Sequence, residues 1–288
     1  MTDQGLLLCT DLDRTLLPNG AQAESPGARD RFTALVSDPR VTLAFVSGRD
    51  RARIERAMTN YRLPRPAFVI SDVGTNIYDL RGGEWRVWEQ WQEVIALDWR
   101  GYDNWRLGQL LDDFPQLRRQ EISKQGHCKL SYYFPLHVEQ EWLDAEIRRF
   151  LQGRGVRVNL VWSLDEPAGV GLLDVLPERA SKLHALEFLR AALGIDETAM
   201  LFAGDSGNDL PVLASAIPSI LVANAMSAVA AEAQAAAEAA GNRQALYLAR
   251  GDFIGMNGNY SAGILEGVVH YHPELVGLFE GAGRRRDE

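Results

Sequence analysis

The sequence has two cysteines in 288 residues, Cys9 and Cys128, far apart and in no CxxC spacing. That excludes a disulfide framework and fits a reducing compartment. Long apolar runs are missing as well. The run Leu6-Leu7-Leu8-Cys9 is too short for a membrane span or a signal-peptide core, and no basic segment precedes it. A cytoplasmic location is therefore expected. Basic residues are in short supply: 30 Lys and Arg against 39 Asp and Glu give a formal net charge of −9. Such a balance repels nucleic acid and anionic membrane surfaces, so neither is expected as a partner. An anionic small molecule would need positive charge concentrated locally. What is there is ordinary: 46% apolar and 24% charged residues exclude a disordered or fibrous chain. The length suits one large domain or two of moderate size.

From residue 5 to about 80, short apolar runs (Leu6 to Thr10, Val41 to Val46, Phe68 to Ile70) alternate with amphipathic stretches (Ala28 to Ser37, Arg51 to Met58). The alternation predicts βαβ units around a parallel sheet. The same grammar returns from about 170, with strands over Leu172 to Leu176, Met200 to Phe202 and Ser219 to Val222, and helices over Lys182 to Leu193 and, in the alanine-rich run Ala223 to Ala240, over Met226 to Ala240. Between them all seven tryptophans (Trp85, Trp88, Trp91, Trp99, Trp105, Trp142, Trp162) crowd one stretch. An inserted α+β unit over 81–169 is the natural reading. It carries strands Lys129 to Phe134 and Val156 to Trp162 and a helix Val138 to Leu151. Core packing is the simpler role for these aromatics, with stacking on a sugar the alternative. The fold class expected is thus α/β, a Rossmann-like parallel-sheet core (1–80 and 170–288) with an inserted cap (81–169). The arginine-bearing end, Gly281 to Glu288, reads as a frayed terminus.

Four strand ends carry chemistry. In Leu7-Leu8-Cys9-Thr10-Asp11-Leu12-Asp13-Arg14-Thr15 an apolar strand runs into two carboxylates spaced i, i+2, which suits an oxygen-ligated cation such as Mg²⁺ and equally a β-turn or helix cap. Val46-Ser47-Gly48-Arg49 offers a hydroxyl and open backbone N–H groups to an anion, though Ser-Gly is also ordinary turn chemistry. Lys182 follows Asp174 to Ser181 at the start of a helix, where the dipole disfavours a cation. A facing phosphate would explain it; solvation is the alternative. Finally, Met200 to Phe202 enters Ala203-Gly204-Asp205-Ser206-Gly207-Asn208-Asp209, a glycine-bearing loop with two more acids.

Taken in order, the four segments resemble the motifs of the haloacid dehalogenase-like phosphohydrolases, and the long insertion resembles the larger, type II α/β cap of that superfamily. The resemblance implies a Mg²⁺-dependent phosphatase in which Asp11 is the nucleophile and Asp13 the acid and base. It also implies metal ligation by Asp11, Asp13 (through its backbone carbonyl), Asp205 and Asp209, the last orienting either Lys182 or a metal-bound water, and phosphate binding by Ser47, Gly48, Lys182 and Asn208. Three further stretches, Ser71-Asp72-Val73-Gly74-Thr75-Asn76-Ile77, Gln125-Gly126-His127-Cys128-Lys129-Leu130-Ser131-Tyr132-Tyr133 and Tyr260-Ser261-Ala262-Gly263-Ile264, are similar to the sucrose-6-phosphate phosphatase-like subgroup. They make Gly74, Thr75, Asn76, His127 and Lys129 candidate substrate contacts.

The substrate this implies is a small sugar phosphate, sucrose 6-phosphate or a related disaccharide phosphate. Leu16, where the subgroup usually has tryptophan, and Arg14 before Thr15 depart from its pattern. Mannosylfructose phosphate and mannosyl-phosphoglycerate therefore remain alternatives, as does a non-catalytic sugar-phosphate-binding partner of a synthase. Association with a sugar-phosphate synthase is the one protein partner suggested. A phosphomutase and a receiver-type signalling domain share parts of the pattern; the cap insertion and the length argue against the second.

Overall fold

The computed structural model describes residues 5–165 and 168–282. In chain order the strands and helices are β1 (Leu6–Thr10), α1 (Ala28–Val36), β2 (Val41–Val46), α2 (Arg51–Tyr61), β3 (Phe68–Ser71), β4 (Asn76–Asp79), β5 (Arg86–Val87), α3 (Glu89–Ala96), α4 (Asn104–Leu111), β6 (Arg118–Arg119), β7 (Leu130–Phe134), α5 (Gln140–Gln152), β8 (Val158–Asp165), β9 (Val170–Pro177), α6 (Lys182–Leu193), β10 (Met200–Gly204), α7 (Leu210–Leu213), β11 (Ser219–Leu221), α8 (Ser227–Ala239), β12 (Leu246–Leu248) and α9 (Ser261–Tyr271). The end segment 283–288, read from sequence as frayed, lies outside the described residues. None of the described helices is long and apolar enough to cross a membrane.

The larger sheet runs β12-β11-β10-β1-β2-β3-β4-β5. From β12 to β3 every pairing is parallel, and β4 and β5 close one edge as an antiparallel ribbon. All five residues of β1 are buried because helices cover both faces. Successive side chains alternate sides: Leu6 and Leu8 join one core with Phe32 of α1 and Ile264 of α9, while Leu7 and Cys9 join the other with Leu186 and Leu189 of α6. This is the expected α/β architecture. Strand β1 lies between β2 and β10, so the strand order reverses beside it, and such a reversal opens a crevice at the carboxyl ends of the strands.

The smaller sheet, β6-β7-β9-β8, is antiparallel throughout. Leu107 and Leu111 of α4 and Leu143, Ile147 and Leu151 of α5 cover one face, packed on Tyr132, Leu160 and Val175. Two segments differ from the sequence reading. The strand expected in the returning half of the core, Leu172 to Leu176, is β9 of the smaller sheet, while β5 and α3 pack with the larger one. A strand leading to a helix with lysine at its start looks the same in sequence whichever sheet it joins. The tryptophans divide likewise: Trp88 and Trp91 pack beside the larger sheet, Trp99 and Trp162 beside the smaller, and Trp105 is 62% exposed.

Candidate active site

Each of three neighbouring elements delivers a charged group to the crevice. Asp11 continues β1 by one residue, its N–H donating to the Ala203 carbonyl of β10 at 2.9 Å. Its Oδ1 accepts from the Leu12 N–H at 2.8 Å, and its Oδ2 lies 3.3 Å from Lys182 Nζ. Lys182 opens α6, whose N-cap Ser181 accepts from the His184 N–H, and its ammonium donates to Asp209 Oδ1 at 2.7 Å and to Asn208 Oδ1 at 3.1 Å. Beyond β10 the loop doubles back so tightly that Asp209 Oδ2 accepts from the N–H groups of Asp205 (3.1 Å) and Ser206 (3.2 Å). Only glycine fits at 204, because a Cβ there would lie 2.6 Å from the Asp209 carboxylate carbon.

The balance of charge is uneven. Asp11, Asp205 and Asp209 are buried and offer oxygens within 4.8 Å of one another, against one buried ammonium and the Arg14 guanidinium 3.5 Å from Asp205. Burial, resisted by Lys182 and reinforced by Asp209, pushes Asp11 up to about 8. Burial and the Asp209 charge push Asp205 up to about 6. Burial alone would lower Lys182, but attraction from Asp11 and Asp209 outweighs it and raises the ammonium above its ordinary value. Asp205 Oδ1 accepts from Thr15 Oγ1 at 3.1 Å, yet its Oδ2 is buried without a hydrogen-bond partner. An orphaned carboxylate oxygen among three clustered acids fits a hard divalent cation such as Mg²⁺.

Asp13 is placed differently. Arg49 donates to both of its oxygens, at 2.7 and 2.6 Å, and Asn19 donates at 2.6 Å. Burial would raise its pKa, but these bonds outweigh burial and hold the carboxyl below its ordinary range. Its carboxylate therefore belongs to this fork and not to the three-acid cluster. Ser47 is buried at the end of β2, its Oγ accepting from the Arg49 N–H at 3.2 Å. Gly48 and Asn208 line the pocket in front of Asp11, together with Arg14 and Arg53. Arg49 and Arg14 stood in the motifs without a role; the partners that define them lie 36 and 191 positions away, Arg49 to Asp13 and Arg14 to Asp205.

Of the candidate substrate contacts, Thr75, Asn76, His127 and Lys129 line a neighbouring cavity of about 640 Å³ between the two sheets. Gly48 and Arg53 border both spaces. Lys129 bridges Asp72 (3.5 Å) and Asp174 (3.0 Å), and Ser131 Oγ donates to Asp174 at 2.5 Å. Asp72 and Val73 hold positive φ of 50° and 59°, a conformation costly for a β-branched residue. Gly74 is not on the cavity wall: at φ +98° it presses on α6, where a Cβ would come within 2.3 Å of the Ser181 carbonyl oxygen. Tyr260, from the third stretch, donates its N–H to Asn224 Oδ1 at 2.8 Å and is wholly buried.

Residues 4–272 match the family model of sucrose-6F-phosphate phosphohydrolase. The chain belongs to that family. It is therefore an enzyme of the phosphoric monoester hydrolase class, with the haloacid dehalogenase-like fold that its motifs resemble. A protein of Nitrosococcus oceani described as a HAD-like hydrolase is 50% identical over 277 residues, 96% of this chain and 74% of that protein. The mannosylfructose-phosphate phosphatase of Agrobacterium fabrum is 28% identical over 223 residues, 76% of this chain and 84% of that one. Among solved structures, the sucrose-phosphatase of Synechocystis sp. PCC6803, in complex with sucrose and phosphate, superposes with a TM-score of 0.69 at 22% identity. The match covers 93% of this chain and 98% of that chain, and it shows a shared fold.

Proposed function

We propose that the chain is a Mg²⁺-dependent phosphatase of a small phosphorylated sugar, acting through an aspartyl-phosphate on Asp11. The observation that carries this is the buried Asp11 carboxylate at the β1 end, 3.3 Å from Lys182 and clustered with Asp205 and Asp209. Asp11, Asp205, the Asp13 backbone carbonyl and Asp209, either directly or through a water, would hold the metal. When bound, the metal cancels the repulsion between the carboxylates and the incoming phosphate. Ser47, Gly48, Lys182 and Asn208 place the phosphorus in line with an Asp11 oxygen. Attack forms the Asp11 O–P bond and breaks the P–O bond to the sugar, whose oxygen takes a proton from Asp13. A water then attacks the phosphorus and gives its proton to Asp13, restoring the Asp11 carboxylate and releasing inorganic phosphate. To carry a proton, Asp13 must loosen the Arg49 fork.

The smaller sheet serves in this reading as the cap, with its polar face (Lys129, Ser131, Asp174) toward the substrate, and Thr75, Asn76, His127 and Lys129 meet the sugar. Sucrose 6-phosphate or a related disaccharide phosphate is the substrate class proposed. The Agrobacterium relative favours mannosylfructose phosphate as the second reading. A cytoplasmic location is supported by two buried free cysteines. Association with a synthase is supported by 27% identity to a segment of a glucosylglycerol-phosphate synthase from Pseudomonas anguilliseptica, of which the match spans 26%. The test is phosphate release from a panel of sugar phosphates with Mg²⁺ and with EDTA. Release from a disaccharide phosphate, lost on chelation, is expected. A folded, Mg²⁺-binding protein that releases phosphate from none would favour a binding role.

A further inference from the structure

The cavity beside the Asp11 pocket is cationic on a chain whose net charge is −9. Helix α2 contributes Arg51, Arg53 and Arg56 from its first two turns and has no acid in its first turn. That is the reverse of what a helix N-terminus favours, since its dipole already presents positive charge there. The loop before β7 faces them with Lys124 and Lys129. Some of this charge is matched: Arg51 pairs with Glu55 at 2.9 Å, Arg53 with the N-cap Asp50 at 3.6 Å, and Lys129 with Asp72 and Asp174. The side chains of Arg56 and Lys124 make no hydrogen bond or ion pair among the described residues. Two cations without a hydrogen-bonded or ion-paired partner thus line one cavity, Arg56 from α2 and Lys124 from the loop before β7. At about 640 Å³ it has room for a glycosyl unit beyond the phosphate.

We propose that this cavity takes a second anionic group of the substrate, a carboxylate or a further phosphate apart from the one that is cleaved, and that Arg56 and Lys124 are its main contacts. The proposal rests on the phosphatase reading above for the position of the cleaved phosphate. The substrate class becomes a phosphorylated sugar compound that carries additional negative charge. A neutral disaccharide phosphate would leave the two cations without an anionic partner in the cavity.

The test compares kcat/KM, at low and high salt, for sucrose 6-phosphate, mannosyl-phosphoglycerate and fructose 1,6-bisphosphate, in the wild type and in the double variant Arg56→Gln/Lys124→Gln. Expected is an advantage of about tenfold for one anionic compound over sucrose 6-phosphate, and a loss in the variant about tenfold larger for that compound. Which compound gains tells carboxylate from phosphate. Equal losses for all three that vanish at high salt would show only long-range attraction of phosphate esters and would overturn the proposal. So would the absence of any preference. Should no compound release phosphate, calorimetric binding of the same three decides. Tighter binding of an anionic compound, weakened in the variant, would retain this proposal and remove the phosphatase reading, whereas equal binding would remove both.

Discussion

Two of the carboxylate–cation clusters among the described residues are built on opposite terms. Around Asp98, whose side chain is wholly buried, Arg179 donates from its N–H (2.9 Å), Nε (3.1 Å) and Nη2 (2.8 Å), and Arg157 adds another bond. One acid meets two guanidinium groups, and burial is outweighed, so that Asp98 is held below the ordinary carboxylate range. This cluster stands where the chain leaves the larger sheet after α3 and returns to it after β9, tying the two crossings together. Around Asp11 the count is reversed. Three acids share one lysine and a more distant arginine, two of the acids are pushed upward, and Asp205 keeps an orphaned oxygen. The first cluster is complete within the chain and costly to break, whereas the second leaves an acid unpaired, as the proposed function requires.

The contrast can be broken from either side. Asp205→Asn should lower kcat/KM by about a hundredfold or more while leaving the melting temperature near or above that of the wild type, because it relieves repulsion. Phosphate-release kinetics and thermal melts read the two effects. Asp98→Asn should do the opposite, costing about 3 kcal/mol in urea denaturation because two guanidinium groups lose their anion. The folded-state carboxyl lies below its unfolded value of about 4, so this stability is complete above about pH 4 and is lost as the pH falls through the folded value. The gap between wild type and Asp98→Asn should therefore shrink in acid. Gly74→Ala should cost about 1–3 kcal/mol and lower activity, since a methyl against Ser181 shifts the start of α6 and Lys182 with it. Arg157→Ala should cost about 1 kcal/mol or less, because Arg157 is half exposed and Arg179 still holds Asp98.

Sequence reading found what strand periodicity and local spacing carry. The apolar runs of β1, β2 and β10 end in Asp11, Ser47 and Asp205, and a parallel order brings such ends together, so the acids and Lys182 were legible before their distances were known. What escaped depends on partners distant in the chain. Asp98 meets Arg179 across 81 positions, and Arg49 meets Asp13 across 36; nothing local marks either pair. Tryptophan density also misled, because a large aromatic packs equally well under either sheet, as Trp91 and Trp99 show. Gly74 lay in a segment read as substrate-binding, but its role in the fold is a close approach to Ser181, which spacing does not reveal.

The most direct test of the central claim is phosphate release by Asp11→Asn, made alongside the wild type with its best substrate and Mg²⁺, on protein whose circular dichroism and melt are native. The amide matches the carboxylate in shape and cannot attack phosphorus. The account predicts a rate lower by about ten-thousandfold or more. A folded Asp11→Asn protein that turns over at close to the wild-type rate would contradict it.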